Sequence, residues 1–191
     1  LTSSQVAALG AQTFAAFSAE QIAAIGVKAL PGVSTDSIAA LTTAQISALA
    51  TGAVASLTTG QIGALSGDQF DAFSTAQLKV LSSGQLSAIA ADSIAGLSAE
   101  EIAALNSRAV SGLRTDALEA LSSAQIAALT TAQVAALQSW QILNVDASFV
   151  SALTTGHIAA LSSGAIVSLT TAQLSAWTTA QIEALSPTQV R

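Results

Sequence analysis

The sequence predicts an all-α solenoid of very short, capped helices, one in each of about 24 eight-residue repeats. Three observations predict this fold. A large apolar residue recurs every eight positions from Leu1 to Leu185, a second apolar residue follows five positions after each of them, and Ser or Thr usually follows the first. No insertion interrupts the pattern. We call one repeat an octad and number it from its first apolar residue, which is position 1.

Position 2 of the octad has the composition of a helix N-cap. It is Ser or Thr in sixteen octads and Gly, Asn or Asp in four more. Position 5 is most often Gln, and Ser/Thr-x-x-Gln is a capping box, in which each side chain binds a free backbone N–H group at the helix start. Eight of the eleven acids lie at positions 2 to 5, where the helix dipole stabilises negative charge. We therefore predict a helix N-terminus in every octad.

The core side chains follow from the same period. A helix that begins every eight residues runs from position 3 to position 1 of the next octad, so positions 6 and 1 share a face. Phe14 with Phe17 and Phe70 with Phe73 are bulky examples of this pair. Position 8 is small in nearly every octad, and we expect a neighbouring backbone to approach closely there. A single octad buries too little apolar surface to offset its ordering entropy, so the octads must stack.

Other regular structures fit the period less well. One continuous helix would rotate its apolar stripe by about 80° per octad and would never face one partner. Coiled coils need a period of about 3.5 or about 3.67 residues. A β-solenoid needs alternating apolar positions, and positions 6, 8 and 1 of the next octad do not alternate. The period does not determine how many octads make one superhelical turn.

The two prolines mark special positions in this pattern. Pro31, which precedes Gly32, lies at position 7 and predicts a distorted helix over residues 27–33. Pro187 lies at position 3, where we expect it to begin a helix, because the first helical residue has no use for its N–H group.

The composition limits the possible partners. With a net charge of −6 and five scattered Lys and Arg residues, the chain has no basic patch for nucleic acid or an anionic membrane surface. A membrane-spanning helix needs about 20 apolar residues, and Ser, Thr or Gln interrupts every such run. The absence of cysteine excludes disulfides and thiol chemistry. Because charged residues are few, we expect Ser, Thr, Gln and Gly to form the polar surface.

No set of catalytic, cofactor-binding or metal-binding residues is recognisable in the sequence. The single histidine, His157, lies at position 5 without a Cys or an acid cluster beside it, and we interpret it as a polar replacement for Gln. Serine and threonine are abundant, but a nucleophile needs a base and an orienting group. The acids are spread along the octads and do not form a calcium loop. We expect a protein that is not an enzyme and binds no cofactor or metal.

The stretch 137–150 departs most from the repeat. Trp140 stands at an acid position, Leu143 at the exposed position 7, and Phe149 in place of Gln. These three side chains could form an apolar patch that binds a partner. We favour the alternative, that this stretch has drifted in sequence and repacked locally.

Paired threonines at positions 2 and 3 suggest a further, less favoured hypothesis, an ice- or glycan-binding array. Thr42–Thr43 and Thr130–Thr131 are examples of these pairs. Ser, Gly and Ala replace Thr freely, however, and helix capping uses the hydroxyl group at position 2.

Residues 41–49 (LTTAQISAL) and 121–129 (LSSAQIAAL) resemble the octapeptide arrays, L-[ST]-x-x-Q-[IV]-x-A, of very large bacterial surface and secreted repeat proteins, including adhesin-like and RTX-type chains. The resemblance covers the whole chain. It implies an extracellular or cell-surface location in bacteria and a structural role. The Gly-Gly-x-Gly-x-Asp calcium repeat of RTX proteins does not occur here, so the calcium role does not carry over.

These observations favour one solenoid over residues 1–191, as a segment of a longer array, that acts as a non-catalytic spacer or stalk. The alternative is an interaction scaffold that binds a protein, peptide or glycan on its repeated face. The expected partners are the neighbouring repeats of the same array, and the exposed ends could also associate end to end.

Overall fold

The computed structural model describes residues 1–191, and every regular element in it is a helix. It contains 21 α-helices of four to six residues and two 3-10 helices, with no strand. The protein is therefore an all-α solenoid of short helices, as the period predicts. The last octad forms only a turn, so the expectation that Pro187 begins a helix is wrong.

The bounds of the α-helices follow the octads one by one. They are α1 Ser3–Ala7, α2 Ala11–Ala15, α3 Ala19–Ala23, α4 Thr35–Ala39, α5 Thr43–Ala48, α6 Thr51–Ser56, α7 Thr59–Gly63, α8 Gly67–Asp71, α9 Thr75–Leu78, α10 Ser83–Ser87, α11 Ala91–Gly96, α12 Ala99–Ala104, α13 Thr115–Glu119, α14 Ser123–Ala128, α15 Thr131–Ala136, α16 Ser139–Asn144, α17 Ala147–Ser151, α18 Thr155–Ala160, α19 Ser163–Val167, α20 Thr171–Ser175 and α21 Thr179–Glu183. The 3-10 helices are Leu30–Gly32 and Ala109–Gly112.

Each α-helix begins at position 3, where the capping pattern predicts it. The N-cap at position 2 has an extended backbone, with φ −76° and ψ 154° at Thr130. Most helices end at position 7 or 8, slightly earlier than we expected. The residue at position 1 is also extended, as at Leu129, and its N–H group donates to the carbonyl three residues earlier, that of Ile126. Two successive extended residues, at positions 1 and 2, therefore form a corner in every octad, where the chain changes direction.

The corners wind the chain into a superhelix with between three and four octads per turn. The helix pairs in most extensive contact are three octads apart, as α3 is from α5 and α15 from α18. Side-chain hydrogen bonds between turns join residues that are 25 to 31 positions apart in the sequence. Each octad thus packs against residues about one turn earlier and about one turn later.

The apolar core runs through all turns without a break. A single cluster of 45 buried residues extends from Val6 to Trp177. Position 6 side chains are at most 3% exposed from Val6 to Ile158, and those of position 1 pack beside them. Phe70 and Phe73 show the predicted pairing, with ring centroids 5.5 Å apart in an edge-to-face arrangement. In the final turn the position 6 side chains are partly exposed, because the following turn is what covers this position elsewhere.

The two 3-10 helices occur where position 5 is Ala and position 8 is Gly. Pro31 accounts for the first of them, as predicted, whereas the helix Ala109–Gly112 contains no proline. A Cβ atom at Gly112 would overlap the backbone carbonyl group of Ser83 in the preceding turn. No residue in the protein has a positive φ, so glycine is needed here for close approach and not for its backbone freedom. This contact confirms that position 8 allows neighbouring backbones to approach.

We predict that Gly112→Ala lowers the free energy of unfolding by about 2 kcal/mol or more, because backbone atoms must move to accommodate the new methyl group. The measurement is urea denaturation followed by circular dichroism. The matched control is Gly67→Ala, where a Cβ atom meets nothing within 4 Å and a helix gains about 0.5–1 kcal/mol from the change. Equal effects of the two substitutions would contradict the close-packing explanation.

Candidate functional site

The most repeated polar feature of the molecule is the glutamine at position 5. In most octads its Oε1 atom accepts a hydrogen bond from the backbone N–H group of position 2, and the hydroxyl group of position 2 accepts from the backbone N–H group of the glutamine. In α15 these distances are 2.7 Å from Thr130 N to Gln133 Oε1 and 3.2 Å from Gln133 N to Thr130 Oγ1. The predicted capping box is therefore confirmed.

The same glutamines also bind the preceding turn, which the sequence did not predict. The Nε2 atom donates to two or three backbone carbonyl groups, one of them 28 residues earlier and the others 30 or 31 residues earlier. In Gln133, Nε2 lies 2.7 Å from Ile102 O and 2.9 Å from Leu105 O. We call this set of eleven residues the glutamine ladder: Gln45, Gln61, Gln69, Gln77, Gln85, Gln125, Gln133, Gln141, Gln173, Gln181 and Gln189.

Burial corrects one expectation about these residues. We expected glutamine to contribute to the polar surface, but every ladder glutamine is buried. Gln133 uses both donor sites of its amide nitrogen, while its oxygen accepts from the backbone N–H group and the hydroxyl group of Thr130. Because an amide has two donors and two acceptor sites, the group is fully satisfied. The protein has no buried side-chain nitrogen or oxygen atom without a hydrogen-bond partner.

His157 occupies a glutamine position and takes over most of its contacts. Its Nδ1 accepts from the backbone N–H group of Thr154 at 3.3 Å, and its Nε2 lies 2.6 Å from the carbonyl oxygen of Leu129, 28 residues earlier. Because Nδ1 accepts this hydrogen bond, Nε2 is the nitrogen that donates to Leu129. The interpretation of His157 as a polar replacement for Gln is confirmed.

We predict that Gln133→Ala lowers the free energy of unfolding by about 3 kcal/mol, because two buried carbonyl groups and one N–H group lose their partner and a small cavity remains. The measurement is urea denaturation. The control is Gln21→Ala, since Gln21 forms the same capping box but is exposed and donates to no earlier turn. Its loss should cost about 1 kcal/mol, the usual value of a cap. Equal costs at both positions would show that the contact between turns contributes nothing.

Glu101 is the one acid at position 5. Its Oε2 accepts from the backbone N–H group of Ser98 at 2.7 Å, so it completes a capping box, but a carboxylate cannot donate to carbonyl groups of the preceding turn. Asp71 lies in that preceding turn. Burial, together with the negative charges of Glu101 and Asp68, raises the pKa of the Asp71 carboxyl group above its ordinary value of 3.8.

A raised pKa means that the ionised form of Asp71 destabilises the folded state. We therefore predict that Asp71→Asn stabilises the protein at pH 7 by roughly 0.5 kcal/mol, the scale of exposed charge interactions. This gain should shrink as the pH falls through the raised pKa and vanish well below 3.8, where the carboxyl group is neutral in both states. Thermal unfolding at several pH values tests this. Asp36→Asn, whose carboxylate lies in an early octad, should bring no gain, and a gain that does not change with pH would contradict the prediction.

The structure corrects the predicted partner patch at one of its three residues. Trp140 and Leu143 lie on α16 and are 47% and 49% exposed, on one face of the helix. Phe149 is 2% exposed and fills the core space that a ladder glutamine occupies elsewhere, so it does not belong to the patch. Val167, on the contacting helix α19, is 80% exposed instead. Sequence reasoning missed Val167, although it stands at the exposed position 7.

The first threonine of each threonine pair is used for folding. The hydroxyl group at position 2 accepts a hydrogen bond from a backbone N–H group, as it does at Thr130. The second threonine, at position 3, is exposed at Thr59 and Thr131. Only the position 2 threonine therefore has a capping role.

No group of three or more His, Cys, Asp or Glu side chains is placed to hold a metal ion. No helix of the protein combines the length and the apolar character needed to cross a membrane. The surface has two shallow grooves, one of about 260 Å³ beside Leu1 and Phe17 and one of about 300 Å³ between Ser83 and Arg108.

The fold and the glutamine ladder define a repeat protein, in which one octapeptide unit builds a stacked, all-helical solenoid. A family model, the ALTTAQ repeat, matches residues 38–75, 102–144 and 158–191, which is more than half of the chain. The chain therefore belongs to the ALTTAQ repeat family. No curated protein matches it.

Proposed function

We propose that this chain is a non-catalytic structural module, a spacer or stalk segment of a large bacterial surface or secreted protein. The observation that carries the proposal is the glutamine ladder. Every turn offers the next one the same backbone carbonyl groups and the same apolar side chains, so the solenoid can be lengthened turn by turn without a new kind of contact. On this proposal, residues 1–191 form one segment of a longer array.

The side-chain chemistry supports this role. The buried glutamines and the position 2 hydroxyl groups are occupied in caps and between turns, as at Gln133 and Thr130. What remains outside is an almost uniform surface of Ser, Thr, Ala and Gly with few charges. A surface of this kind has low affinity for other molecules, which suits a spacer, and the missing acid–base pair argues against an enzyme.

A spacer must be straight over several turns, and distances between labels test this. The chain has no cysteine, so spin labels can be attached to single cysteines introduced at the exposed position 4 residues Glu20, Ala76 and Ala132. These positions are 56 residues apart, about two turns. With packed helices about 9 Å apart, we expect about 18 Å for each neighbouring pair and about 36 Å for Glu20 with Ala132. The measurement is pulsed electron resonance.

The outer pair decides the outcome of that experiment. A distance close to the sum of the two shorter distances is expected for a straight solenoid. A distance well below the sum would mean that the array curls, and the spacer proposal would lose its basis. Denaturation curves of the labelled chains control for any loss of folding.

A second candidate function is an interaction scaffold for a protein, peptide or glycan. It is favoured by the exposed side chains of Trp140, Leu143 and Val167 on the contacting helices α16 and α19. Titration with soluble polysaccharides or peptides, followed by the fluorescence of Trp140 in a Trp177→Phe background, tests this candidate. A saturable change that is lost in Leu143→Ser would favour the scaffold over the spacer. End-to-end association would appear instead as a molecular mass that rises with concentration.

A further inference from the structure

The glutamine ladder has one long gap, between Gln85 and Gln125. Four successive octads in this interval have another residue at position 5: Ser93, Glu101, Ala109 and Ala117. Elsewhere the runs without glutamine are shorter. Because a ladder glutamine binds carbonyl groups 28 to 31 residues earlier, four missing glutamines leave a whole turn without these bonds. The affected contact joins residues 62–89 to residues 90–117, and we call it the central interface.

Other polar contacts do not replace the missing glutamines. One side-chain hydrogen bond crosses the central interface, from Asn106 Nδ2 to Lys79 O, and it is long, 3.3 Å, and exposed. A groove of about 300 Å³ opens between the two turns, with Ser83 on one side and Arg108 on the other. By contrast, Gln125 and Gln133, in the next turn, donate five hydrogen bonds to the turn before them.

The charges at the central interface are unfavourable. Asp71, on one side, faces Glu101, on the other, and Asp68 lies beside it on the same helix. The carboxylate of Asp71 also lies against the backbone of Gly96, where an added Cβ atom would come within 3.0 Å of its Oδ1 atom. No ion pair crosses the interface, because the single salt bridge of the protein is local, between Arg114 and Asp116.

Apart from the exposed Asn106 bond, only apolar side chains and the close backbone contact of Gly112 with Ser83 hold the central interface together. Val110, Leu113 and Leu118 are buried as deeply as their counterparts in other turns. Hydrophobic contact is not directional, whereas each ladder glutamine fixes two turns at a set position with short hydrogen bonds. Regions of a protein with few such bonds open at lower free energy than their surroundings.

We infer that the solenoid opens first at the central interface, and that it consists of two more stable blocks, residues 1–89 and 90–191. The opening exposes the faces of residues 62–89 and 90–117 that pack against each other, while the turns joined by ladder glutamines stay closed. The inference depends on the hydrogen bonds and charges between turns and does not depend on what the protein binds.

Cleavage by trypsin under native conditions tests the inference directly. Lys79 lies on one side of the central interface, and Arg108 and Arg114 lie on the other. These side chains and that of Lys28 are exposed in the folded state, so differences in cleavage rate report local opening. The octad of Lys28 is joined to the next turn by Gln61. We expect cleavage after Lys79, Arg108 and Arg114 to precede cleavage after Lys28, as measured by mass spectrometry of timed samples.

The decisive variant is Glu101→Gln, which restores a ladder residue in an existing capping box and removes the charge that faces Asp71. One additional buried hydrogen bond should slow cleavage at Arg108 and Arg114 about fivefold. The matched control is Glu100→Gln, which removes the same charge from an exposed neighbouring residue and should leave the rates unchanged. Equal effects of the two substitutions would overturn the inference, as would cleavage after Lys28 that is as fast as cleavage after Arg108.

Amide hydrogen exchange gives a second measurement that needs no substitution. We expect amides in residues 62–117, which form the two sides of the central interface, to exchange faster than those in residues 122–150, which are linked to the preceding turn by ladder glutamines. Equal protection of the two segments would overturn the inference.

Discussion

The structure depends on a single side-chain amide that serves two backbones at once. In each ladder glutamine the oxygen accepts hydrogen bonds at the start of its own helix, and the nitrogen donates to carbonyl groups one turn earlier. Of the natural side chains, glutamine combines two donors and two acceptor sites with this length. Glutamate lacks the donors, and asparagine is one methylene group shorter. A residue that the sequence pattern identifies as a helix cap is therefore the main polar link between turns.

This double role explains how helices of only four to six residues persist. Isolated helices of that length are unstable in water, because nucleation costs more than a few hydrogen bonds return. Here the orphan N–H groups of each helix are capped by positions 2 and 5. The carbonyl groups at the helix ends, such as those of Ile102 and Leu105, are occupied by the next turn. Local order and stacking are thus stabilised by the same bonds, which makes the octad stable only within an array.

The departures from the repeat show what the array tolerates. His157 keeps a link to the preceding turn with a different ring, and Phe149 replaces the polar link with apolar packing. The octads 25–32 and 105–112, which contain the 3-10 helices, lack the capping box and the glutamine, and they allow the backbones to approach more closely. Substitution of one link leaves the core intact, whereas loss of several in a row concentrates the weakness in one contact. In a solenoid of this kind, fewer hydrogen bonds join neighbouring turns where the glutamines are missing.

The sequence by itself determined the all-α class, the octad boundaries, the caps and the apolar core, because each of these follows from contacts within eight residues. It also determined the role of His157 and the distortion at Pro31. Tertiary structure alone decided the number of octads per turn, the burial of the glutamines, the place of Phe149 in the core and the closeness of Gly112 to Ser83. These features arise between residues 25 to 31 apart, where the corner angles of several octads add up. The eight-residue pattern does not define the angle of each corner accurately enough to predict how many octads make one turn.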